Sequence, residues 1–213
     1  MGSQRSKVEI KGFEAKYYDI LMGLLTFGQY NKWIRRAVRG TGVGRGFNVI
    51  EFGSGTGVAA CEFSKIIGES GRYIGFDIGE EMMAKAIKKC RKRKNVEFAK
   101  ERIEHPIRVP FKADIVFMSF VMHGLENQDK EKVIKNAYHN LKEGGIFAVF
   151  DYSQIKYQDA SWFAKLLIWK LECPLAGEFA EMNFPEFVKN YGFEYSKVKK
   201  YFRGLFSLYL FRK

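Results

Sequence analysis

Three glycines at alternating positions follow a short apolar run and are preceded by an acidic residue. The segment reads Glu51-Phe52-Gly53-Ser54-Gly55-Thr56-Gly57. Glycines allow a tight turn and a close approach of the backbone to a ligand. The spacing differs from the Gly-x-Gly-x-x-Gly of dinucleotide sites, and the segment lacks the Gly-Lys-Ser/Thr ending of a phosphate loop. The loop therefore predicts a binding site for a ligand that is not a nucleotide coenzyme.

Two acidic residues indicate the chemistry of that ligand. Glu51 stands two residues before the first glycine. A carboxylate there would repel a pyrophosphate but attract an ammonium group. Asp77 lies 20 residues beyond Gly57, which is the expected place for a carboxylate that binds ribose hydroxyls. The pattern predicts a ligand with a ribose, a positively charged amino-acid end and no phosphates.

The elements that would position these residues alternate between the periods of strands and helices. Apolar runs predict strands at residues 47–52, 72–77, 96–98, 114–120 and 146–151. Between them, the spacing of apolar residues predicts helices at residues 58–67, 80–91 and 130–141. Parallel neighbours need crossover connections, so this alternation predicts an α/β fold whose mainly parallel sheet carries helices on both faces.

The two ends of the chain complete this picture. Residues 194–200 and 205–211 read as strands joined by a turn at Arg203-Gly204, so the sheet should end in an antiparallel hairpin. Residues 13–39 have helical spacing with a break at Gly28. We expect one domain over residues 1–213, with a helical cap in residues 1–45 and an insert in residues 155–182.

Composition sets limits on the class of protein. The chain has 213 residues, of which 46% are hydrophobic, and a formal net charge of +12. This excludes a disordered tail and a small disulfide-stapled module. Cys61, Cys90 and Cys173 are odd in number and too widely spaced for a metal knuckle, so we expect neither a zinc site nor a disulfide framework, and a reducing cytosol fits best.

Four motifs in order resemble those of class I S-adenosylmethionine (SAM)-dependent methyltransferases. Besides the glycine loop they are Gly75-Phe76-Asp77-Ile78, Asp114-Ile115-Val116-Phe117 and Leu141-Lys142-Glu143-Gly144-Gly145-Ile146. The resemblance implies a Rossmann-like seven-stranded sheet whose last strand is antiparallel, with SAM as cofactor and S-adenosylhomocysteine as product. It implies no metal. The cofactor-binding residues that it implies are Glu51, Gly53, Ser54, Gly55, Gly57, Asp77, Ile78, Glu101, Arg102 and Ser119.

The residues after the fourth predicted strand bear on the methyl acceptor. Asn/Asp-Pro-Pro-Tyr/Phe, common in enzymes that methylate amino groups of bases, is absent after Phe117, which disfavours nucleic-acid adenine as the acceptor. His123 stands where a histidine could act as a general base with a pKa near neutrality. A histidine there could equally pack or hold the next loop, so both roles stay open.

A narrower resemblance is to the ubiquinone/menaquinone C-methyltransferases and to phospholipid N-methyltransferases of the same plan. It is carried by Phe13-Glu14-Ala15-Lys16-Tyr17-Tyr18-Asp19, by Phe150-Asp151-Tyr152-Ser153 and by Gly192-Phe193. It implies that Tyr18 lies over the SAM site. One departure is that His123-Gly124 replaces the Arg-Asn common in the quinone enzymes.

Residues 161–171 of the insert mix tryptophans, aliphatic residues and lysines. This composition suits either a helix at a lipid interface or a lid packed on the core. We expect a methyltransferase acting on a hydrophobic acceptor, either a quinone precursor or a phospholipid head group. The protein would be cytoplasmic or peripheral on the inner face of an anionic membrane. Alternatives are methylation of a soluble small molecule and a non-catalytic SAM-binding regulatory subunit.

The densest basic run lies between Lys85 and Lys94. Its helix should start at the ligand edge of the sheet and run away from it, so these cations should lie at the opposite edge. There they suit the negative end of the helix dipole. Positive charge alone gives a protein only sequence-independent affinity for nucleic acid. Nucleic acid is therefore not expected as a partner.

Overall fold

Seven strands form one sheet in the part of the chain that the structure describes. The structure is a computed structural model that describes residues 28–172 and 174–213. The strands are β1 (Asn48–Phe52), β2 (Arg72–Asp77), β3 (Val96–Lys100), β4 (Ala113–Ser119), β5 (Leu141–Tyr152), β6 (Glu194–Tyr201) and β7 (Phe206–Arg212). Their order is β3-β2-β1-β4-β5-β7-β6. Strand β7 pairs antiparallel with β5 and β6, while the other neighbours are parallel. The predicted mainly parallel sheet with an antiparallel last strand is confirmed.

One helix precedes the first strand, and the other helices occupy connections between strands. They are α1 (Tyr30–Gly40), α2 (Val58–Ile67), α3 (Glu80–Cys90), α4 (Asn127–Asn140), α5 (Trp162–Ala164), α6 (Pro174–Glu181) and α7 (Phe184–Lys189). From β1, the sheet extends through β2 to β3 on one side and through β4 to β5, β7 and β6 on the other. Right-handed crossovers therefore put α2 and α3 on one face and α4 on the other. The strand order reverses between β1 and β4, which opens a crevice at the carboxyl ends of these two strands.

The described part of the amino-terminal cap is helix α1. It begins two residues after Gly28, which has a positive φ of 72°. Its buried residues are Trp33, Ile34, Ala37 and Val38. These recur on one face of the helix, which is why it packs against the domain rather than standing free. Residues 1–27 of the predicted cap lie outside the described residues.

The insert follows β5 and returns the chain over the ligand edge of the sheet. After α5 comes a π-helical segment (Lys165–Leu171), and α6 follows it. Helix α6 packs against the 3-10 turn Met122–Gly124. Ile168 is fully buried, whereas Trp162 keeps 76% of its surface exposed. The insert therefore packs on the core by one face and leaves apolar side chains exposed on another.

Two cysteines that were not predicted to pair form a disulfide bond. Cys61 of α2 is bonded to Cys90 of α3, with their Cα atoms 5.7 Å apart. The bond joins the helix that follows the glycine loop to the helix that follows Asp77. The expectation that the cysteines form no framework therefore overlooked one cross-link behind the predicted ligand site.

The last part of the basic run lies at the opposite edge of the sheet from that site, as predicted, whereas Lys89 of α3 donates a hydrogen bond to Oγ1 of Thr56 in the glycine loop at 3.1 Å. Lys92, Arg93 and Lys94 follow α3 and precede β3. They line an open depression together with Arg72 at the start of β2. Within the described ranges, no helix combines the length and the apolar character needed to cross a bilayer.

Candidate active site

A cleft lies at the carboxyl edge of the sheet, where the strand order reverses. It holds about 1000 Å³ of empty space, including its open mouth. The glycine loop after β1, the turn after β2 and the segment after β4 form its walls. Helix α1 adds Tyr30 and Ile34 at one side. Ligands of open α/β sheets bind at this position.

The glycine loop brings its backbone to the cleft. A Cβ atom on Gly53, whose φ is 73°, would lie 2.5 Å from Cγ2 of Val121. A Cβ atom on Gly55, whose φ is 50°, would meet no atom within 4 Å. Both conformations strongly favour glycine. Gly53 is thus required by close packing, while Gly55 faces space that a ligand can fill.

Asp77 connects the loop to the end of β2. Its Oδ2 accepts a hydrogen bond from the backbone N–H of Gly55 at 2.7 Å, and its Oδ1 accepts one from Gly79 at 2.9 Å. Burial raises the pKa of this carboxyl, and the backbone N–H groups of Gly79 and Gly55 oppose that rise. Each carboxylate oxygen has a second lone pair. Asp77 can therefore brace the loop and still accept hydrogen bonds from ribose hydroxyls.

Glu51 is buried at the base of the cleft with only 1% of its surface exposed. The hydroxyl of Tyr73, on the neighbouring strand, donates a hydrogen bond to its Oε2. Burial raises the pKa of Glu51 to about 8, although the Tyr73 hydrogen bond lowers it. A Cβ atom on Gly75 would lie 2.9 Å from the Tyr73 hydroxyl oxygen. Gly75 thus leaves the space through which Tyr73 reaches Glu51.

Most of the residues predicted to bind the cofactor surround this cleft. Those that line it are Glu51, Gly53, Ser54, Gly55, Asp77, Ile78, Glu101 and Ser119. Gly57 does not line it, because its Cα faces α3, where a Cβ would lie 2.9 Å from Cα of Ala86. Arg102 does not line it either, since its side chain pairs with Glu104. Tyr18 lies outside the described residues.

His123 lies at one end of the cleft and is bonded to a buried carboxylate. Its Nδ1 is 2.7 Å from Oδ1 of Asp151, and Asp151 is completely buried. The other oxygen of Asp151 accepts the backbone N–H of His123 at 3.1 Å. In neutral imidazole, a proton on Nδ1 that is donated to Asp151 leaves the lone pair of Nε2 free to accept a proton.

Opposing effects set the proton affinity of His123. Burial lowers its pKa, but the charge and hydrogen bond of Asp151, together with the charge of Glu172, outweigh burial and the charge of Lys130. The pKa of His123 therefore lies above the ordinary histidine value of 6.5. The pair has the geometry of a general base oriented by a carboxylate.

An apolar wall adjoins His123. Phe120 follows β4 with a positive φ of 53°, a conformation that is costly for an aromatic residue. Its N–H donates to the backbone oxygen of Phe150 at 2.9 Å, and its ring lies 5.0 Å from that of Phe206 and 5.9 Å from that of Tyr30. Tight packing thus holds the strained residue so that it faces the cleft.

Sequence reasoning missed several residues of the site. They are Tyr30, Ile34, Phe120 and Val121 on the apolar wall, Tyr73 beneath Glu51, and Asp151 and Glu172 around His123. Asp151 could have been found from the sequence, because it is an acidic residue at the end of the strand predicted at residues 146–151. That strand follows the predicted strand that precedes His123. The others come from apolar or irregular segments whose patterns do not single them out.

Fold and site together define the class of SAM-dependent methyltransferases. The sequence model of the ubiE/COQ5 methyltransferase family matches residues 3–201, and the chain belongs to that family. A similar curated protein is the ubiquinone/menaquinone biosynthesis C-methyltransferase UbiE of Escherichia coli O1:K1 / APEC. It is 32% identical over 144 residues, which are 66% of this chain and 56% of the relative. The match thus spans a little more than half the length of that relative.

Solved structures show the same fold. A SAM-dependent methyltransferase from Aquifex aeolicus has a TM-score of 0.68 and 21% identity, with 95% of this chain and 98% of that chain covered. Aeropyrum pernix fibrillarin, solved with natively bound SAM, has a TM-score of 0.59 and 16% identity, with 83% of this chain and 73% of that chain covered. The predictions of the family and of the fold are confirmed. Membership of a methyltransferase family agrees with the predicted enzyme class and with SAM as the cofactor.

The residues of the cleft fit SAM. Gly55 leaves open space beside the loop, and the buried Oγ of Ser54 has no hydrogen-bond partner among the described residues. Glu51 offers a carboxylate for the ammonium group, and Asp77 offers acceptors for the ribose. Within the described ranges, no cluster of three or more His, Cys, Asp or Glu side chains could hold a metal ion.

Replacing Asp77 with alanine is expected to weaken SAM binding by about 30-fold or more, because a buried acceptor and a loop brace are lost together. Isothermal titration calorimetry with SAM measures the change. Asp129→Ala is a matched control, since this carboxylate is paired with Lys132 at the surface of α4. Unchanged affinity in Asp77→Ala would contradict the placement of the ribose.

Proposed function

We propose that this chain transfers the methyl group of SAM to a hydrophobic acceptor that carries an acidic hydroxyl, with His123 as the general base. The observation that carries the proposal is the buried His123–Asp151 pair at the apolar end of the cofactor cleft. The pair lies where an acceptor would meet the cofactor, and its free nitrogen is available for an acceptor proton.

SAM supplies an electrophilic methyl group on a sulfonium. The chain's own residues align the acceptor, exclude water and take up the proton. Phe120, Val121 and Ile34 provide an apolar surface for the acceptor. His123 Nε2 accepts the hydroxyl proton, and Asp151 stabilises the resulting imidazolium. The acceptor forms a bond to the methyl carbon as the bond from carbon to sulfur breaks, and S-adenosylhomocysteine leaves.

The acceptor class follows from this chemistry. A ring hydroxyl that loses its proton makes both its oxygen and the adjacent ring carbons nucleophilic, so one base serves either atom. After methylation at carbon, that carbon releases its own proton to solvent and the ring oxygen regains a proton from the His123 imidazolium, which restores the aromatic ring. A quinone precursor, which the name of the curated relative suggests, has such a hydroxyl and an apolar body. A phospholipid head group that carries an amine is the second acceptor that we propose. In that case the amine is the nucleophile, and His123 would take the proton that its ammonium form must lose. The same insert would meet this acceptor at a lipid surface.

The exposed face of the insert supports access to a membrane-borne acceptor. Trp162 is 76% exposed, Tyr157 51% and Leu166 42%. The ammonium group of Lys165 lies 4.8 Å from the centre of the Tyr157 ring, and Lys170 is exposed on the same segment. Aromatic and aliphatic side chains next to lysines suit an interface with anionic lipid. We propose that the insert, residues 155–182, is a lid within a single domain and that it rests on such a surface.

The double variant Trp162→Ser/Leu166→Ser is expected to reduce sedimentation with phosphatidylglycerol vesicles by about tenfold, because it removes the exposed apolar anchors. Ile87→Ser is the matched control, since Ile87 is an apolar residue of α3 that is 53% exposed. The binding of the unaltered protein should also weaken as salt is added. If the unaltered protein stays in the supernatant at low salt, the membrane contact is refuted.

One experiment tests the proposed function as a whole. The protein is incubated with SAM carrying a radiolabelled methyl group and with separated lipid and aqueous cell extracts. Label in the lipid fraction supports the proposal. Label confined to the aqueous fraction indicates a soluble acceptor, and tight SAM binding with no labelled product indicates a regulatory subunit. Label transferred to added RNA or DNA would count against the expectation that nucleic acid is no partner.

A further inference from the structure

The insert brings a second carboxylate to His123. Glu172 directly follows the π-helical segment. Its Oε1 accepts a hydrogen bond from the hydroxyl of Tyr152 at 2.8 Å, and its Oε2 lies 3.8 Å from Nε2 of His123. Asp151 binds the other ring nitrogen. The imidazole is therefore placed between two carboxylates, one from the sheet and one from the insert.

The position of Glu172 is fixed from more than one side. The ring of Tyr152 lies 5.0 Å from that of His123 in an edge-to-face arrangement, and its hydroxyl holds Glu172. Tyr152 in turn follows Asp151 on β5, and its backbone N–H donates to Oδ1 of Asp151 at 2.8 Å. The carboxylate of Glu172 is thus tied to the same strand end that orients His123.

The separation of 3.8 Å is longer than a hydrogen bond. It leaves the lone pair of Nε2 accessible to a hydroxyl that enters from the cleft. Once Nε2 has taken a proton, its N–H carries part of a positive charge beside Glu172. Attraction between the two groups is then stronger than it was with neutral imidazole.

We propose that Glu172 is a positioning residue for the reaction, which favours the protonated state of His123 that forms as the acceptor gives up its proton. The proposal rests on the proposed function, because it assigns His123 the role of base. It also gives the insert a part in the chemistry, since the segment that would contact lipid ends on this carboxylate. An insert that moved away from the sheet would take Glu172 with it.

The charges that face His123 predict the sign of the effect. Asp151 and Glu172 raise its pKa, while Lys130 of α4, whose ammonium group donates to the backbone oxygen of Leu125, lowers it. Removing the charge of Glu172 should therefore make His123 easier to deprotonate. It should also make His123 a weaker base, because the imidazolium loses one of its stabilising partners.

The test compares Glu172→Gln with the unaltered chain by nuclear magnetic resonance titration of the imidazoles. The chain has three histidines, and His105→Gln and His139→Gln assign the signals. In Glu172→Gln we expect the midpoint of His123 to fall by about 0.5–1 pH unit. In the extract assay, the midpoint of the acid limb of the pH–rate profile should move to lower pH by the same amount. The plateau rate should fall by about two- to fivefold, because the rate depends only in part on the strength of the base. Glu186→Gln, which removes an exposed carboxylate of α7, should change neither.

The outcomes are distinct. A lowered midpoint together with a lowered acid limb supports the inference. A lower rate with an unshifted midpoint and limb would show that Glu172 has a purely structural part, and the inference would be wrong. The titration needs no acceptor, so it decides whether Glu172 acts on His123 even if no extract is labelled. If the midpoint shifts but no extract is labelled, the proposed function fails while the interaction between Glu172 and His123 stands. Tyr152→Phe, which releases Glu172, should shift the midpoint in the same direction.

Discussion

Replacing His123 with asparagine is expected to lower kcat by about 10²–10⁴-fold while leaving SAM affinity unchanged. The expectation follows from the site, because His123 lines the cleft and Asp151 holds its Nδ1 at 2.7 Å, which leaves Nε2 to act as the base. Without the imidazole, an acceptor hydroxyl must lose its proton to water. Methyl transfer to labelled product gives kcat, and calorimetry gives the SAM affinity.

Asp151→Asn should reproduce much of this loss. An amide at position 151 can donate a hydrogen bond to Nδ1, which would move the imidazole proton to Nε2 and block the base. His139→Asn is the matched control, because His139 is an exposed histidine of α4. Equal rates for His123→Asn and the unaltered chain would leave His123 with the packing role that the sequence also allowed.

The rate should depend on pH in a defined direction. The carboxylates around His123 raise its pKa above 6.5 despite burial, so the base is protonated and inactive below that pKa. Activity should therefore rise with pH through a value above 6.5. His123→Asn should remove this limb from the residual activity, which separates loss of a base from a general loss of structure.

The fold could be predicted because its elements carry strong local patterns. The helix predicted at residues 58–67 and the strand predicted at 72–77 match α2 and β2 at both ends. The main difference is β5, which begins at Leu141 rather than at residue 146. Gly144 and Gly145 belong to this strand, and their backbone groups are bonded to those of Lys213. Pairing with a segment so distant in sequence leaves no local signal.

The cofactor side of the site could be predicted for the same reason, since the glycines and acids sit at fixed offsets from strands. The surroundings of His123 could not. Glu172 arrives from an irregular insert, and Phe120 adopts a conformation that its residue type disfavours. The bond between Cys61 and Cys90 depends on how α2 packs against α3, because spacing does not specify which cysteines meet.

Replacing Glu51 with glutamine is expected to weaken SAM binding by about 30-fold or more and at the same time to stabilise the folded protein at pH 8. The binding loss follows from removing a buried carboxylate that would pair with the SAM ammonium group. Calorimetry measures the affinity, and thermal unfolding measures the stability. Tyr73→Phe is the companion variant, because it keeps the carboxylate and removes the hydrogen bond that opposes its high pKa.

The pH dependence of stability has a definite sign. Burial raises the pKa of Glu51 from 4.5 to about 8 in the folded protein. Between these values the folded state holds a proton that the unfolded state has released. The stabilising effect of this difference is present below pH 4.5 and is lost as pH rises through about 8, so the free energy of unfolding falls across this window. Glu51→Gln removes the titrating group, and its unfolding temperature should fall less over the same range.

Binding of SAM should offset the loss of stability that ionisation of Glu51 causes. An ammonium group beside Glu51 favours the carboxylate, so at pH 6.5 binding should release a proton from the unaltered protein. Calorimetry in buffers of different ionisation enthalpy detects that proton, and Glu51→Gln should release none. If both proteins bind SAM without proton exchange and with equal affinity, Glu51 is a structural partner of Tyr73 and the ammonium group is bound elsewhere. Glu51 would then lower the stability of the folded protein at neutral pH without improving the binding of SAM. The proposed contact with the ammonium group accounts for a buried acid at this position, because the loss of stability is then compensated by tighter binding.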